Sequence, residues 1–270
     1  MVQSFTDIPE FRFEVPREKT ERAYTIYLKG LHSLKEGIEE LTGNRLSNSK
    51  LKEAIGLHNR HRELLKTISL SRKADTPPLS GKEFISLVHL SYVLDIKEMQ
   101  DILETYVKEL GTREGPAKGP RILLTGLELG WGDYQVIDLI EEAGGHVVVE
   151  QYSSTLRDYW ETVDLGGDMM ENLAKRYLIK KVNHVAFIPR NERHDFILKL
   201  AKEFRVDGLI WYSPRYGDNA NLDFFVFDKM WKKQTDLPII KIETEYDFPE
   251  NDNKGDLKTR VETFINAIKG

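Results

Sequence analysis

From Arg121 onward the chain alternates short apolar runs with amphipathic stretches, and this alternation limits the available folds more than any other feature. The first run, RILLTGLE at 121–128, leads through Gly130, Trp131 and Gly132 into a helical pattern over 135–143. Apolar run, glycine turn and amphipathic helix together open a parallel α/β unit. Further strand candidates are 146–152, 184–189, 208–213 and 238–245; helix candidates are 168–178, 192–204, 222–234 and 255–268. The strand runs show little polar alternation, which implies burial on both faces. The predicted fold class is therefore α/β, a five-stranded, doubly wound, mostly parallel sheet of flavodoxin-like plan, preceded by a helical region.

The preceding residues divide by pattern. Residues 1–16 read as an extended arm, broken by Pro9 and Pro16, with Phe5, Phe11, Phe13 and Val15 available to pack on a neighbour or partner. Over 17–110 the pattern is helical. Tyr27, Leu31, Leu34, Ile38 and Leu41 form one narrow seam that stops at Thr42-Gly43. Ser47 or Asn48 caps a second helix, and the two are expected to form a helical hairpin. Ser80 with Glu83, and Asp95 with Glu98, have the spacing of capping boxes. Residues 111–120, GTREGPAKGP, read as a linker, leaving 121–270 as the α/β domain.

Composition excludes several functions. A net charge of -5 and a pI near 5.9 argue against a nucleic-acid partner. No apolar run approaches the roughly 18–20 residues of a membrane span, and the N-terminus lacks a signal-peptide pattern, so a cytoplasmic protein is expected. The chain has no cysteine, which rules out disulfides and any cysteine-ligated zinc or iron–sulfur site within it.

In open α/β sheets ligands sit beyond the carboxyl ends of the strands. The loops there supply Glu128 and Trp131 after the first strand, and Ser153, Ser154, Arg157 and Trp160 after the second. Arg190 and Arg193 follow the third, Tyr216, Gly217 and Asp218 the fourth, and Glu245 the fifth. Arginines gathered with helix N-termini suit a phosphate-bearing ligand, although loop arginines also pair with surface acids, such as Arg157 with Asp158 or Glu161. Gly126 to Gly132 does not fit G-x-G-x-x-G, and no P-loop or G-x-S-x-G elbow is present. His58 and His61 read as a solvated helix face, and His89 as a packed core or interface histidine. On these grounds alone the chain is an α/β protein suited to an anionic small molecule.

Particular phrases carry the reading further. VPREKTERAYTIYLKGL, RILLTGLELG, RDYWETVD, KLAKEFRVDGLIWYS and IETEYDFPENDNKGDLKTRVETFI occur in this order across most of residues 13–268. With them the chain resembles the benzoyl-CoA reductase and 2-hydroxyacyl-CoA dehydratase subunit family (the 2-hydroxyglutaryl-CoA dehydratase D-component family). The resemblance implies α/β lobes joined by helices, working as dimers of related subunits. It also implies a 4Fe-4S cluster, held by cysteines, that takes an electron from an ATP-hydrolysing activator and passes it to the thioester carbonyl of an acyl-CoA. The chain departs from this pattern. Residue 1 enters just before the helical middle, so the family's amino-terminal lobe reads as missing. Ser153 and Gly217 stand where the resemblance places cluster-ligating cysteines, with Arg157, Tyr216 and Asp218 retained around them.

With no cysteine in the chain, no metal or cofactor is expected to be bound by it, and the cluster that the resemblance implies is expected only in a partner chain. A homodimer or a heterodimer with a related subunit is expected, with acyl-CoA as the ligand. Substrate-binding candidates are Glu128, Trp131, Ser153, Ser154, Arg157, Trp160, Tyr216, Gly217, Asp218 and Glu245; catalytic residues stay unassigned. Three functions compete: a subunit of an acyl-CoA reductase or dehydratase complex, inactive alone; a non-catalytic, cluster-free binding or assembly paralogue; and a generic anion-binding sensor.

Overall fold

A computed structural model describes residues 9–182, 184, 186–244 and 254–270. Strands β1 (Arg121–Gly126), β2 (His146–Gln151), β3 (Gly208–Pro214) and β4 (Ile239–Thr244) form one parallel sheet in the order β2-β1-β3-β4. Each of β1, β2 and β3 is buried along nearly its whole length, as the unalternated apolar runs required. Helices cover both faces. On one side Trp211 of β3 packs against Phe224 and Phe227 of α9 (Asp218–Gln234). On the other Gly208, three residues earlier and so of opposite facing, lies against Phe264 and Ile268 of α10 (Lys254–Lys269).

The sheet has four strands, and the expectation of five is corrected at 184–189. The only sheet-like pairing found there among the described residues is a bridge from Ile188 to Glu18. Both edges of β1 are taken by β2 and β3, and the far edge of β3 by β4, so no interior place remains. The apolar character of the stretch is spent elsewhere. Phe187 packs on a small cluster of Ala23, Tyr27, Ala174 and Leu178, and Pro189 has no N–H to offer a ladder.

The helices begin as their caps dictate. The side chains of Thr20, Ser47, Ser80 and Asp95 accept backbone N–H groups at the starts of α1 (Glu21–Thr42), α2 (Asn48–Ser71), α3 (Gly81–Leu90) and α4 (Ile96–Glu109). Gly43, at φ 67°, closes α1 in the left-handed conformation. A hairpin of α1 on α2 is not what forms. α2 pairs with α4, while α1 packs mainly on α7 (Met169–Ala174) and the π-helical segment Lys175–Lys180. Ile38 and Leu41 stay exposed, and at Gly30 and Gly37 the arm's Phe13 and Phe11 rings fill the notches instead.

One core unites the halves. Leu64, Ile68, Phe84, Val88, Met99 and Leu103 of α2 to α4 are continuous with the sheet and with α5 (Gln135–Glu142) and α8 (Asn191–Glu203). No helix among the described residues is long and apolar enough to cross a membrane.

Candidate functional site

The chain leaves β1 to make β2 on one side and then crosses back to make β3 on the other side of β1, so the switch point of the sheet lies at the carboxyl ends of β1 and β3. Gly126 makes the crevice there. Its φ of 148° suits glycine, and a Cβ would run into the Tyr212 carbonyl of β3. Three polar links cross the strand ends. Glu128 accepts the backbone N–H groups of Leu129 (3.2 Å) and Ser154 (3.3 Å) and the Ser154 hydroxyl, tying the loop after β1 to that after β2. Asp133 binds the Tyr212 hydroxyl at 2.6 Å, and Thr244 at the end of β4 binds the same oxygen at 3.0 Å. Arg193 donates to the Gly126 carbonyl (2.9 Å), to Thr125 (3.2 Å) and to Asp223 (2.7 Å), whose other oxygen meets His194 Nε2 at 2.9 Å. Burial raises the Asp133 pKa, opposed by the Tyr212 bond.

The structure brings some sequence candidates together and separates others. Glu128 and Ser154 meet. Ser153 Oγ accepts from Arg157 Nη1 at 2.6 Å, and Arg157 Nε reaches the Val182 carbonyl at 2.7 Å. Arg157 therefore makes neither of the surface ion pairs weighed for it, with Asp158 or with Glu161. It is buried, and burial, reinforced by Arg193, pushes its pKa down to about 10. Trp131 stacks on His89, itself stacked on Tyr134, and stays 58% exposed. Trp160 belongs to the core, edge-on to Phe196 and under the Lys66 ammonium at 4.6 Å. Tyr216 is 87% exposed at φ 66°, and Gly217 and Asp218 lie at the start of α9. Glu245 lies outside the described residues.

Sequence reasoning missed Asp133, Tyr212 and Thr244, although the Gly-Asp at 132–133 and the strand-end positions of the other two were visible signals. It also missed a basic group behind β2. Arg176, wholly buried, donates to the backbone carbonyls of Glu161 (3.1 Å) and Asp158, and Arg62 to Asn59 Oδ1 (3.3 Å) and the Tyr177 hydroxyl (2.8 Å). Arg62, Arg176 and Lys181 surround one ring, Tyr177, at 5.9, 4.4 and 5.6 Å. Burial lowers Lys181 to about 8, with Asp158 opposing and Arg176, Arg157 and Arg62 adding to the fall. His61, read as solvated, is half-buried and pushed down to about 4 by burial, His58 and Arg62.

An iron–sulfur cluster of the kind the resemblance implies needs thiolates. The chain has none, the Ser153 hydroxyl is engaged by Arg157, and Gly217 has no side chain, so these residues do not fit a cluster. No group of three or more His, Asp or Glu is arranged to hold a metal ion among the described residues.

Comparison with known proteins places this geometry in context. The family model described as 2-hydroxyglutaryl-CoA dehydratase, D-component, matches residues 1–268. The chain is 28% identical over 242 residues to a protein of Escherichia coli (strain K12) named as dehydratase subunit YjiM, covering 87% of this chain and 61% of that one. It is 21% identical over 256 residues to the (R)-phenyllactyl-CoA dehydratase beta subunit of Clostridium sporogenes, covering 94% and 67%. With one of the benzoyl-CoA reductase subunits of Thauera aromatica it shares 23% identity over 215 residues, covering 78% and 56%. The chain thus spans about three-fifths of the length of the relatives it matches.

Proposed function

Because the chain belongs to the 2-hydroxyglutaryl-CoA dehydratase D-component family, we propose that it is a cysteine-free subunit of a benzoyl-CoA reductase or 2-hydroxyacyl-CoA dehydratase type of complex. In this reading it supplies part of an acyl-CoA site beside a related chain that carries the 4Fe-4S cluster, served by an ATP-dependent activator, in the cytoplasm. The Clostridium and Thauera relatives are both named as subunits, which supports a role as one chain among several. The observation that carries the acyl-CoA assignment is the built polar frame at the strand ends. Glu128 joins two loops through three donors, and Arg157 is held ready beside Ser153, without a carboxylate. With Nε and Nη1 already bonded, such a guanidinium offers its Nη2 side to a phosphate in a charge-assisted hydrogen bond.

Calorimetry with aromatic and 2-hydroxyacyl CoA thioesters tests this, on the chain alone and with its partner. Binding that weakens about tenfold in Arg157→Ala is expected, as for loss of one charge-assisted pair. No heat at millimolar thioester in either preparation would end the reading.

A second reading, a non-catalytic, cluster-free paralogue for binding or assembly, is favoured by Ser153 and Gly217 at the positions where the resemblance places cysteines. Iron content and electron paramagnetic resonance of the complex, purified anaerobically from its source, separate the two. A cluster signal with turnover supports the first, and an iron-free, inactive assembly the second.

A further inference from the structure

Four cations, Arg62, Arg157, Arg176 and Lys181, converge behind the carboxyl end of β2, from α2, α6 (Leu156–Tyr159), the π-helical segment and the residue after it. Arg62 and Arg157 are buried, and Arg176 is wholly so. Among the described residues the cluster contains one ion pair, Lys181 Nζ to Asp158 Oδ1, and at 3.8 Å it is loose. Among the described residues every acceptor of the three arginines is neutral: two hydroxyls, an amide oxygen and three backbone carbonyls. Arg176 Nη1 and Arg62 Nε are buried with no hydrogen-bond partner among the described residues. The other carboxylates felt here, Glu128 by Arg157 and Glu161 by Arg176, act at longer range. Proteins pair buried charge, because an uncompensated ion in a low-dielectric interior carries a large desolvation penalty. A folded chain that gathers this much unpaired positive charge is built around an anion that arrives from outside.

We propose that this cluster is the seat of a phosphate group of the ligand, with Lys181 and Arg157 in contact and Arg176 and Arg62 behind them. The cluster opens to solvent at one side, where Lys181 keeps 20% and Asp158 40% of its side chain exposed. It also adjoins the crevice. Arg157 is bonded to Ser153, and Tyr92, whose hydroxyl donates to the Ser154 carbonyl at 3.0 Å, feels both Asp158 and Glu128. A ligand anchored by phosphate at Lys181 would run past Tyr92 to Glu128. The naming of that ligand as an acyl-CoA rests on the function proposed above, whereas the anion site rests on the cluster itself. Lys181 faces Asp158 and Arg157 of α6, Arg176 and Tyr177 of the π-helical segment, Arg62 of α2 and the imidazole of His184, and an arriving phosphate raises its lowered pKa. Binding near pH 8 therefore takes up protons.

The test is calorimetry of the whole chain at pH 8, in buffers of different ionisation enthalpy, with pyrophosphate, coenzyme A, dephospho-coenzyme A and phosphate-free pantetheine. The expected result is binding of pyrophosphate and of coenzyme A, with proton uptake for coenzyme A, whose phosphates are already ionised at this pH, and no binding of pantetheine. Lys181→Gln should weaken both about tenfold and abolish the uptake. Asp158→Asn, which removes the competing carboxylate and leaves the backbone carbonyl to Arg176, should tighten both several-fold, and this gain cannot come from misfolding. Coenzyme A bound equally by wild type, Lys181→Gln and Asp158→Asn would overturn the proposal while sparing the acyl-CoA reading. Pyrophosphate bound with the expected variant effects, but no coenzyme A, would uphold the anion site and remove that reading. No binding of either would overturn the proposal.

Discussion

Arg72 and Arg157 are both buried guanidiniums beside β2, and they differ in what faces them. Arg72 meets Glu150 at 2.8 Å with both side chains wholly buried, and the other carboxylate oxygen takes the Tyr159 hydroxyl at 3.1 Å. Arg193 is likewise matched by Asp223. Among the described residues, Arg157, Arg176 and Arg62 meet only neutral acceptors. A lone orphaned N–H does not separate the groups, since Arg72 Nε also lacks a partner; the carboxylate does. Compensated arginines hold the sheet to its helices. Uncompensated ones are a charge the fold keeps at a cost, which points to binding rather than stability.

Stability measurements can break or sharpen this division. Glu150→Gln strands the Arg72 charge in the core and should cost about 3–5 kcal/mol in urea unfolding. A loss below about 1 kcal/mol would show that Arg72 is not held by its carboxylate. Asp223→Asn leaves Arg193 and His194 without their shared anion; a loss of about 2–4 kcal/mol is expected, smaller because Arg193 keeps Thr125 and the Gly126 carbonyl. Arg157→Met removes two hydrogen bonds together with an unpaired buried charge, so ligand-free stability should move by no more than about 1 kcal/mol in either direction. A loss as large as that of Glu150→Gln would make Arg157 a structural arginine and erase the contrast.

The histidines near the cluster give a pH test. Burial and nearby cations depress the folded pKa of His61 and of His184 to about 4. The unfolded chain protonates them near 6.5, so between these values it binds more protons than the folded one. Stability should fall as pH drops from 6.5 toward 4 and stop responding to these groups below it. Urea midpoints across this window should flatten in His61→Asn. The smallest effect is expected on the other side of the crevice: Tyr216→Gly removes an exposed side chain at positive φ and should change stability by no more than about 0.5 kcal/mol.

Local patterns made much of this molecule legible. Unalternated apolar runs buried on both faces located β1 to β3, the isoleucine-rich run after Pro238 located the more exposed β4, and Ser47, Ser80 and Asp95 marked helix starts because a cap needs only neighbours within three residues. The same kind of signal failed at 184–189. An apolar run does not say what covers it: Phe187 is half-buried on the α1 cluster rather than in the sheet, and Ile188 is left exposed. The candidate site was legible as a place, the strand ends, but not as a set of bonds. Asp133 and Tyr212 are 79 residues apart, and nothing local to either announces the other.

By itself, then, the chain of residues determined the α/β alternation, the helix caps, the exclusion of any thiolate-held cluster and the kinship with acyl-CoA dehydratase subunits, all properties of composition, short spacing or wording. Tertiary structure alone decided that the sheet stops at four strands, that α1 leaves α2 for α7, and which arginines meet a carboxylate. The physical reason is range. Glu150 reaches Arg72 across 78 residues, while Asp158, next to Arg157 in sequence, gives that guanidinium no ion pair, because the backbone turn of α6 and the pull of the Val182 carbonyl point the two side chains to different neighbours.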